Sequence, residues 1–144
     1  MKRSRVCVDA NLLIALVLKE GASESVRALY GGWVAERADI LAPYLIAFEC
    51  TSVLRNKVAR QIITMEEGEA ALDTLLRAPV NMVATPDMHR HAWRLATRFN
   101  RPTAYDSHYL AVAAHLGVPL YTVDRRLYNA VKASFPLIRF LAPA

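Results

Sequence analysis

Four carboxylates stand at positions where an α/β chain would bring them to the same end of its sheet. They are Asp9, Glu49, Asp106 and Asp124. Like charges in one cleft raise each other's pKa or require a cation, so their convergence would be costly without bound metal. Mg²⁺ is usually held by one or two carboxylates with waters and substrate phosphate, and two ions about 3.5 to 4 Å apart can serve an in-line attack on a phosphodiester. The acids therefore point to a magnesium-type phosphodiesterase centre.

Asp9 and Asp124 each have a simpler interpretation as helix N-caps. Asp9 ends the apolar run Arg5–Val8, and Asp124 precedes another predicted helix. Aspartate is a preferred N-cap, so neither position is decisive alone. Asn11 and Thr122, each two residues from one of these acids, are suitable neutral groups to orient a carboxylate or a bound water. Ordinary cap and strand hydrogen bonds are the alternative for both.

Glu49 lies beside the apolar face of its predicted helix, because its helical neighbours include Leu45, Ile46 and Val53. A glutamate is almost never fully buried unless it is paired or ligates a metal. The position therefore predicts a partner, either a metal ion or a buried arginine.

Asp106 occupies the acidic third position of a capping box that would begin at Thr103. Three, four and seven residues further on are Tyr109, Leu110 and Ala113, which form an inward face. The pattern predicts a helix start that points into a cleft, where one carboxylate can serve both purposes.

Strand-like and helix-like segments alternate along the chain. Pro43 is expected to begin the third helix, Thr85 and Pro86 to cap the fifth, and Asn100 to end it in the left-handed conformation. Alternation of this kind implies parallel βαβ units, hence a three-layer α/β/α sandwich of about five strands. Ligands bind beyond the carboxyl ends of such strands. We predict strands over 5–9, 40–42, 80–84, 119–123 and 137–141, and helices over 11–18, 22–36, 43–61, 65–78, 86–100, 103–117 and 125–133.

The composition predicts a single folded domain over residues 1–144 with a basic surface. Eighteen Lys and Arg against thirteen Asp and Glu give a net charge of +5, which favours polyanions. A soluble surface with an ordinary excess of arginine is the alternative. The candidate phosphate contacts are Arg55, Lys57, Arg60, Arg101, Arg125 and Arg126.

Cys7 and Cys50 lie in apolar stretches without metal-like spacing, which predicts buried, reduced thiols. The apolar run Leu12–Leu18 is far shorter than the ~20 residues that span a bilayer. We therefore expect a cytoplasmic protein.

Several segments together resemble the PIN-domain ribonucleases, in particular the VapC-type toxins of prokaryotic toxin-antitoxin pairs. The resemblance runs through nearly the whole chain in the same order. The segments that carry it are Val8-Asp9-Ala10-Asn11, Phe48-Glu49, the run that begins Tyr105-Asp106, and Tyr121-Thr122-Val123-Asp124-Arg125-Arg126-Leu127.

The resemblance implies a parallel sheet of order 3-2-1-4-5 and Mg²⁺ or Mn²⁺ held by the four acids. It further implies endonucleolytic cleavage of RNA, a homodimer, and inhibition by a small VapB-type antitoxin. Asn11 and Thr122 match the family's accessory polar positions. Arg125 and Arg126 stand where some relatives carry a further acid, so the resemblance leaves open whether the site holds one metal ion or two.

Two other functions stay open at the level of sequence. A phosphatase could use Asp9 as a covalent nucleophile, but position 11 is Asn rather than a second acid. A non-cleaving PIN module could use the basic surface only to hold RNA or a protein. His89 and His91 point about 200° apart on a helix, which disfavours a shared zinc site.

Overall fold

The computed structural model describes residues 3–143, in which helices and strands alternate as predicted. The strands are β1 (Arg5–Val8), β2 (Asp39–Pro43), β3 (Asn81–Val83), β4 (Leu120–Thr122) and β5 (Ile138–Phe140). The helices are α1 (Ala10–Val17), α2 (Ser23–Ala35), α3 (Leu45–Ala59), α4 (Met65–Arg77), α5 (Met88–Arg98), α6 (Tyr105–Leu116) and α7 (Arg125–Val131).

The five strands form one sheet in the order β3-β2-β1-β4-β5, and each neighbouring pair is parallel. This confirms the three-layer α/β/α sandwich and the strand order that the family resemblance implied. Cys7 in β1 pairs with Leu41 on one side and with Leu120 on the other, so β1 is central. The carboxyl ends of β1 and β4 are therefore adjacent, which brings the segments that carry Asp9 and Asp124 together.

The core lies around β1, α1 and α6. Val6, Cys7 and Val8 are all buried, as expected for a central strand covered on both faces. The runs 12–15 in α1 and 109–113 in α6 are buried as well. Asp9 directly follows β1, and Asp106 lies three residues before the buried run of α6, so both acids are attached to the core.

The termini of three helices follow the predicted local signals. Thr64 and Glu67 form a complete capping box at the start of α4, with reciprocal bonds of 3.1 and 3.3 Å. Asn100 takes a φ of 52° just beyond α5, and Gly117 takes a φ of 66° at the end of α6. These left-handed residues end their helices as expected.

The start of α3 differs from the prediction. Pro43 is the last residue of β2, paired with Val83, and the helix begins at Leu45. A proline fits the first turn of a helix, but at the end of a strand it is also tolerated where its missing N–H is not needed. Pairing with β3 decides between these two positions.

The predicted caps of α5 and α6 are not formed. Asp87, in the left-handed conformation, precedes α5 without a side-chain cap bond, and the buried Thr85 hydroxyl has no partner among residues 3–143. Ala104, not Thr103, is the N-cap of α6, again without a side-chain bond. Each cap is worth only about 1 kcal/mol, so packing between α5 and α6 can override it. The carboxylate of Asp106 is consequently free of the capping role.

Within the described chain, no helix has both the length and the apolar character needed to cross a bilayer.

Candidate active site

Asp9 lies between β1 and α1 and is both a helix cap and the most buried of the four acids. It is 5% exposed, and its Oδ1 accepts a hydrogen bond of 3.0 Å from the Leu12 N–H. Its Oδ2 accepts a bond of 2.5 Å from the Thr122 hydroxyl. Burial raises the pKa of Asp9 to about 7; the two hydrogen bonds oppose the rise, and the charges of Asp106 and Asp124 add to it.

Thr122 connects the two acids at the central strands. Its hydroxyl donates to Asp9 and accepts a bond of 3.0 Å from the Asp124 N–H, so both hydrogen-bonding functions are used within the site. Thr122 is completely buried at the end of β4, where strand pairing fixes its position. Thr122 therefore orients the carboxylate of Asp9, which follows the neighbouring strand, whereas its bond to Asp124 involves only the backbone.

Asp124 is the N-cap of α7 and uses its two oxygens differently. Oδ1 accepts from the N–H groups of Arg126 and Leu127 at 2.9 and 3.2 Å, a typical cap. Oδ2 lies 3.5 Å from Nδ2 of Asn11, the other predicted accessory residue. Asn11 thus reaches across from α1 to Asp124, just as Thr122 reaches across from β4 to Asp9.

Glu49 projects from α3 with one oxygen in an unusual environment. Its Oε1 is buried without a hydrogen bond in the part of the chain that the structure describes, and so is the hydroxyl of Tyr109. The Tyr109 hydroxyl nevertheless lies close enough to favour the charged form of the carboxylate. Burial raises the pKa of Glu49, Tyr109 opposes the rise, and Asp106 adds to it. A buried carboxylate oxygen without a partner is costly, which favours a ligand there.

Asp106, in the first turn of α6, faces Arg101. Nη2 of Arg101 lies 3.5 Å from Oδ2 of Asp106, and both side chains are partly exposed. Burial raises the pKa of Asp106, the charge of Asp124 adds to the rise, and Arg101 opposes it. Within residues 3–143, this is the one ion pair that any of the four acids makes.

The four carboxylates form one electrostatic unit. Asp106 raises the pKa of both Asp9 and Glu49, and Asp124 raises the pKa of both Asp9 and Asp106. In the described chain, however, no three His, Cys, Asp or Glu side chains are gathered closely enough to enclose an ion. All the candidate ligand atoms are oxygens, Oε1 of Glu49 lacks a hydrogen-bond partner among residues 3–143, and the arrangement is open. These features fit a hard divalent cation that keeps waters and substrate among its ligands.

The predicted phosphate contacts divide into two groups. Arg101 contacts Asp106, and Arg125 and Arg126 begin α7 immediately after Asp124, with the Arg125 guanidinium 4.8 Å from the Phe140 ring centroid. Lys57 instead pairs with Glu20 at 3.3 Å. Arg60 follows α3 eleven residues beyond Glu49, a rise of about 16 Å along a helix. Among the residues described, neither Arg55 nor Arg60 pairs with any of the acids.

Sequence reasoning missed two contacts. Tyr109 was expected on the inward face of α6, and its spacing from Asp106 was the available signal for its place beside Glu49. His89 Nδ1 lies 2.8 Å from His108 Nε2, and His108 Nδ1 lies 2.7 Å from the Ala104 carbonyl oxygen. This histidine pair depends on how α5 packs against α6, which no local pattern indicates.

Comparison with known proteins places this arrangement in a family. The model of the PIN domain matches residues 6–133. Ribonuclease VapC1 of Mycobacterium tuberculosis is 34% identical over 125 residues, which cover 85% of this chain and 88% of that protein. VapC ribonuclease Mb0985 of Mycobacterium bovis is 29% identical over 132 residues, or 92% of this chain and 95% of that protein.

A solved structure agrees with these relatives. The crystal structure of PAE2754 from Pyrobaculum aerophilum superposes with a TM-score of 0.66 at 25% identity, covering 91% of this chain and 89% of that one. Strand order, the acids at the sheet edge and the extent of the family match agree, and the chain belongs to the PIN-domain family.

Proposed function

We propose that the protein is an endoribonuclease, the toxin of a type II toxin-antitoxin pair, and that it hydrolyses RNA phosphodiester bonds with a divalent cation. The observation that carries the proposal is the set of four mutually interacting carboxylates at one sheet edge, one of which keeps a buried oxygen without a hydrogen-bond partner in the described part of the chain. Similarity to VapC ribonucleases over most of the chain supports the same activity.

Asp9, Glu49, Asp106 and Asp124 would hold Mg²⁺ or Mn²⁺. When bound, such an ion supplies charge stabilisation at the phosphate and lowers the pKa of water. The chain's own contribution is orientation: Thr122 holds Oδ2 of Asp9 and Asn11 steadies Oδ2 of Asp124. Because these bonds leave lone pairs on each carboxylate, the acids remain able to ligate.

Three arginines are the best candidates for the RNA backbone. Arg101 contacts Asp106, and Arg125 and Arg126 follow Asp124, so all three lie at the sheet edge that carries the acids. Guanidinium groups there attract phosphates without regard to sequence. Arg60 remains a weaker candidate, because its position beyond α3 separates it from the acids.

The proposed partners follow from the VapC likeness. We infer a VapB-type antitoxin that inserts a segment near the cleft, where an arginine of the antitoxin would pair with the acids. We also infer a homodimer that acts in the cytoplasm. The buried, free thiols of Cys7 and Cys50 are compatible with a reducing compartment.

Replacing Asp9 by Asn tests the proposal. The amide keeps the size of the side chain and can still accept the Leu12 N–H bond, but it removes the charge that would hold the cation. We expect Asp9→Asn to lose at least about 100-fold in RNA cleavage rate, a loss typical of groups that stabilise transition-state charge, with an unchanged circular dichroism spectrum. Asp73→Asn, at an exposed acid on α4, is the matched control and should cleave like the wild type.

The same assay separates the competing functions. Wild-type cleavage should stop with EDTA and return with Mg²⁺ or Mn²⁺. Full cleavage by Asp9→Asn, or cleavage indifferent to EDTA, would refute the proposed centre. Metal-independent RNA binding without cleavage would identify a non-cleaving module instead.

A further inference from the structure

We propose that Trp93 and Arg101 form a subsite that stacks one unpaired base of a single-stranded RNA next to the acids. The inference rests on the proposed ribonuclease function and adds to it the form of the substrate. It comes from an exposed tryptophan, a cleft and a run of arginines outside the acid cluster.

Trp93 lies where core packing does not explain it. Its side chain is 71% exposed, whereas the neighbouring Ala92, Leu95 and Ala96 form the buried face of α5. A large aromatic side chain gains little stability when most of it remains in water. An exposed indole face is, however, the surface on which a nucleobase stacks.

Trp93 borders a cleft of about 250 Å³ whose walls also include Ala96, Asn100, Arg101 and Thr103. Asn100 and Thr103 contribute polar side chains, and Thr103 is not used to cap α6. The cleft therefore offers an aromatic surface with hydrogen-bonding groups at its rim, as recognition of unpaired bases requires.

Arg101 links this cleft to the proposed centre. Its side chain lines the cleft, and Nη2 lies 3.5 Å from Oδ2 of Asp106. A guanidinium has five donors, so most of its hydrogen-bonding capacity remains for a phosphate or a base edge. A nucleotide stacked on Trp93 would thus have its backbone beside a residue that touches the acids.

The charge around the cleft suits a nucleic acid strand. Between Met88 and Tyr105 the chain contains four arginines and no Asp or Glu. Arg98 is held by the Ser134 carbonyl and Arg90 by Asp87, but Arg94 is exposed and makes no ion pair within residues 3–143. Arginines interleaved with an exposed aromatic are the combination that binds single strands, and a base–aromatic stack contributes about 1–3 kcal/mol.

Tryptophan fluorescence in the Asp9→Asn background tests the subsite without cleavage. The chain has two tryptophans, and Trp33 is 6% exposed, so a ligand on the surface reaches Trp93 selectively. Short oligo(U) and oligo(A) RNA should quench the emission as they bind, and duplex RNA of the same length should not. In the Asp9→Asn, Trp93→Phe variant the quenching should disappear.

Anisotropy of a labelled oligo(U) measures affinity in the same background. Trp93→Phe should bind within about threefold of the parent, and Trp93→Ala and Trp93→Leu should each weaken binding by about 5- to 150-fold, since neither offers an aromatic face. Val34→Ala, at an exposed apolar position on α2, is the control for a general surface effect.

The outcomes separate the subsite from the proposed activity. If RNA binds the parent but Trp93→Ala binds equally, or Trp93 is not quenched, the subsite is refuted while the activity stands. If Trp93→Leu binds like the parent, or duplex RNA quenches equally, base stacking is refuted. If the parent binds no RNA at all, the subsite is refuted, and the proposed function fails with it only if the wild type also cleaves no RNA in Mg²⁺.

Discussion

Two neutral side chains show how acids can stand close together at the residue scale. Thr122 bonds to both Asp9 and the Asp124 backbone, and Asn11 approaches Asp124 from the opposite side. Hydrogen bonds of this kind favour the charged form of a carboxylate, whereas burial and neighbouring acids favour the neutral form. At Asp9 the effect of burial exceeds that of the hydrogen bonds, and the pKa rises to about 7.

Thr122→Val tests the role of that hydroxyl. Valine has nearly the same shape but leaves Oδ2 of Asp9 and the Asp124 N–H without their shared partner. We expect a loss of about 1–3 kcal/mol in the free energy of unfolding, measured in urea, and slower RNA cleavage. Thr122→Ser, which keeps the hydroxyl, should lose less activity than Thr122→Val. Equal activity of the two variants would show that the hydroxyl does not orient Asp9.

Helix starts support three of the acids at the element scale. Asp9 and Asp124 are N-caps, and Asp106 lies in the first turn of α6. The unpaired N–H groups and the macrodipole at a helix start stabilise negative charge by about 0.3–1 kcal/mol at a surface. The helix start that favours an aspartate as a cap also stabilises its negative charge within the cluster. Asp9 and Asp124 are therefore both N-caps and members of the acid cluster.

The packing of α3 on α4 gives a prediction at the same scale. A Cβ on Gly68 would lie 2.6 Å from Cγ2 of Val58, whose β-branched side chain has little rotamer freedom in a helix. Gly68→Ala should therefore be net destabilising, because overpacking costs about 1–3 kcal/mol against a gain of about 1 kcal/mol in helix propensity.

Gly31→Ala is the matched control for Gly68→Ala. Gly31 lies inside α2 with nothing within 4 Å of an added Cβ, so the alanine should stabilise by up to about 1 kcal/mol. Urea unfolding midpoints measure both variants. A shift in the same direction for both would mean that α3 and α4 are not in close contact at Gly68.

Charge is segregated at the scale of the whole molecule. The chain carries a net charge of +5, yet four of its thirteen Asp and Glu residues meet at the sheet edge that we propose receives a polyanion. A cation bound among the acids would make the local charge positive, and it would then attract a polyanion together with the nearby arginines. Without the cation, the burial and mutual repulsion of these carboxylates destabilise the folded state.

This cost predicts that stability depends on pH. The folded pKa of Asp9 lies above its ordinary value of 3.8, at about 7, so the folded state binds more protons than the unfolded state between these values. Stability should therefore fall as pH rises through this window, by on the order of 4 kcal/mol, and then level off. Burial raises the pKa of Glu49 and Asp106 too, which adds to the effect.

Thermal unfolding in EDTA measures this dependence. Asp9→Asn should flatten the fall and be more stable than the wild type at about pH 8. Mg²⁺ should raise the melting temperature of the wild type at that pH more than that of Asp9→Asn, since a ligand that binds only the folded state stabilises it. A wild type that gains stability with rising pH would contradict the cluster.

The sequence alone was enough to predict the layered fold and the edge at which the acids meet. Helical and strand periodicity depend on neighbouring residues, so the elements can be read from the sequence. Asp9 and Asp124 each follow a predicted parallel strand, and ligands bind beyond the carboxyl ends of such strands, so the two acids could be placed at one edge. The apolar neighbours of Glu49 predicted its partly buried position. The capping box of α4 and the left-handed Asn100 were likewise confirmed, because both depend on a few adjacent residues.

Only the tertiary structure decided which groups touch. The Asn11–Asp124 and Thr122–Asp9 contacts each join residues 113 positions apart, and the Glu49–Tyr109 and His89–His108 neighbours depend on how helices pack. The caps predicted at Thr85 and Thr103 were wrong, because a cap worth about 1 kcal/mol yields to helix packing. Local patterns determine elements, whereas side-chain partners depend on the relative placement of elements, which only the complete core sets.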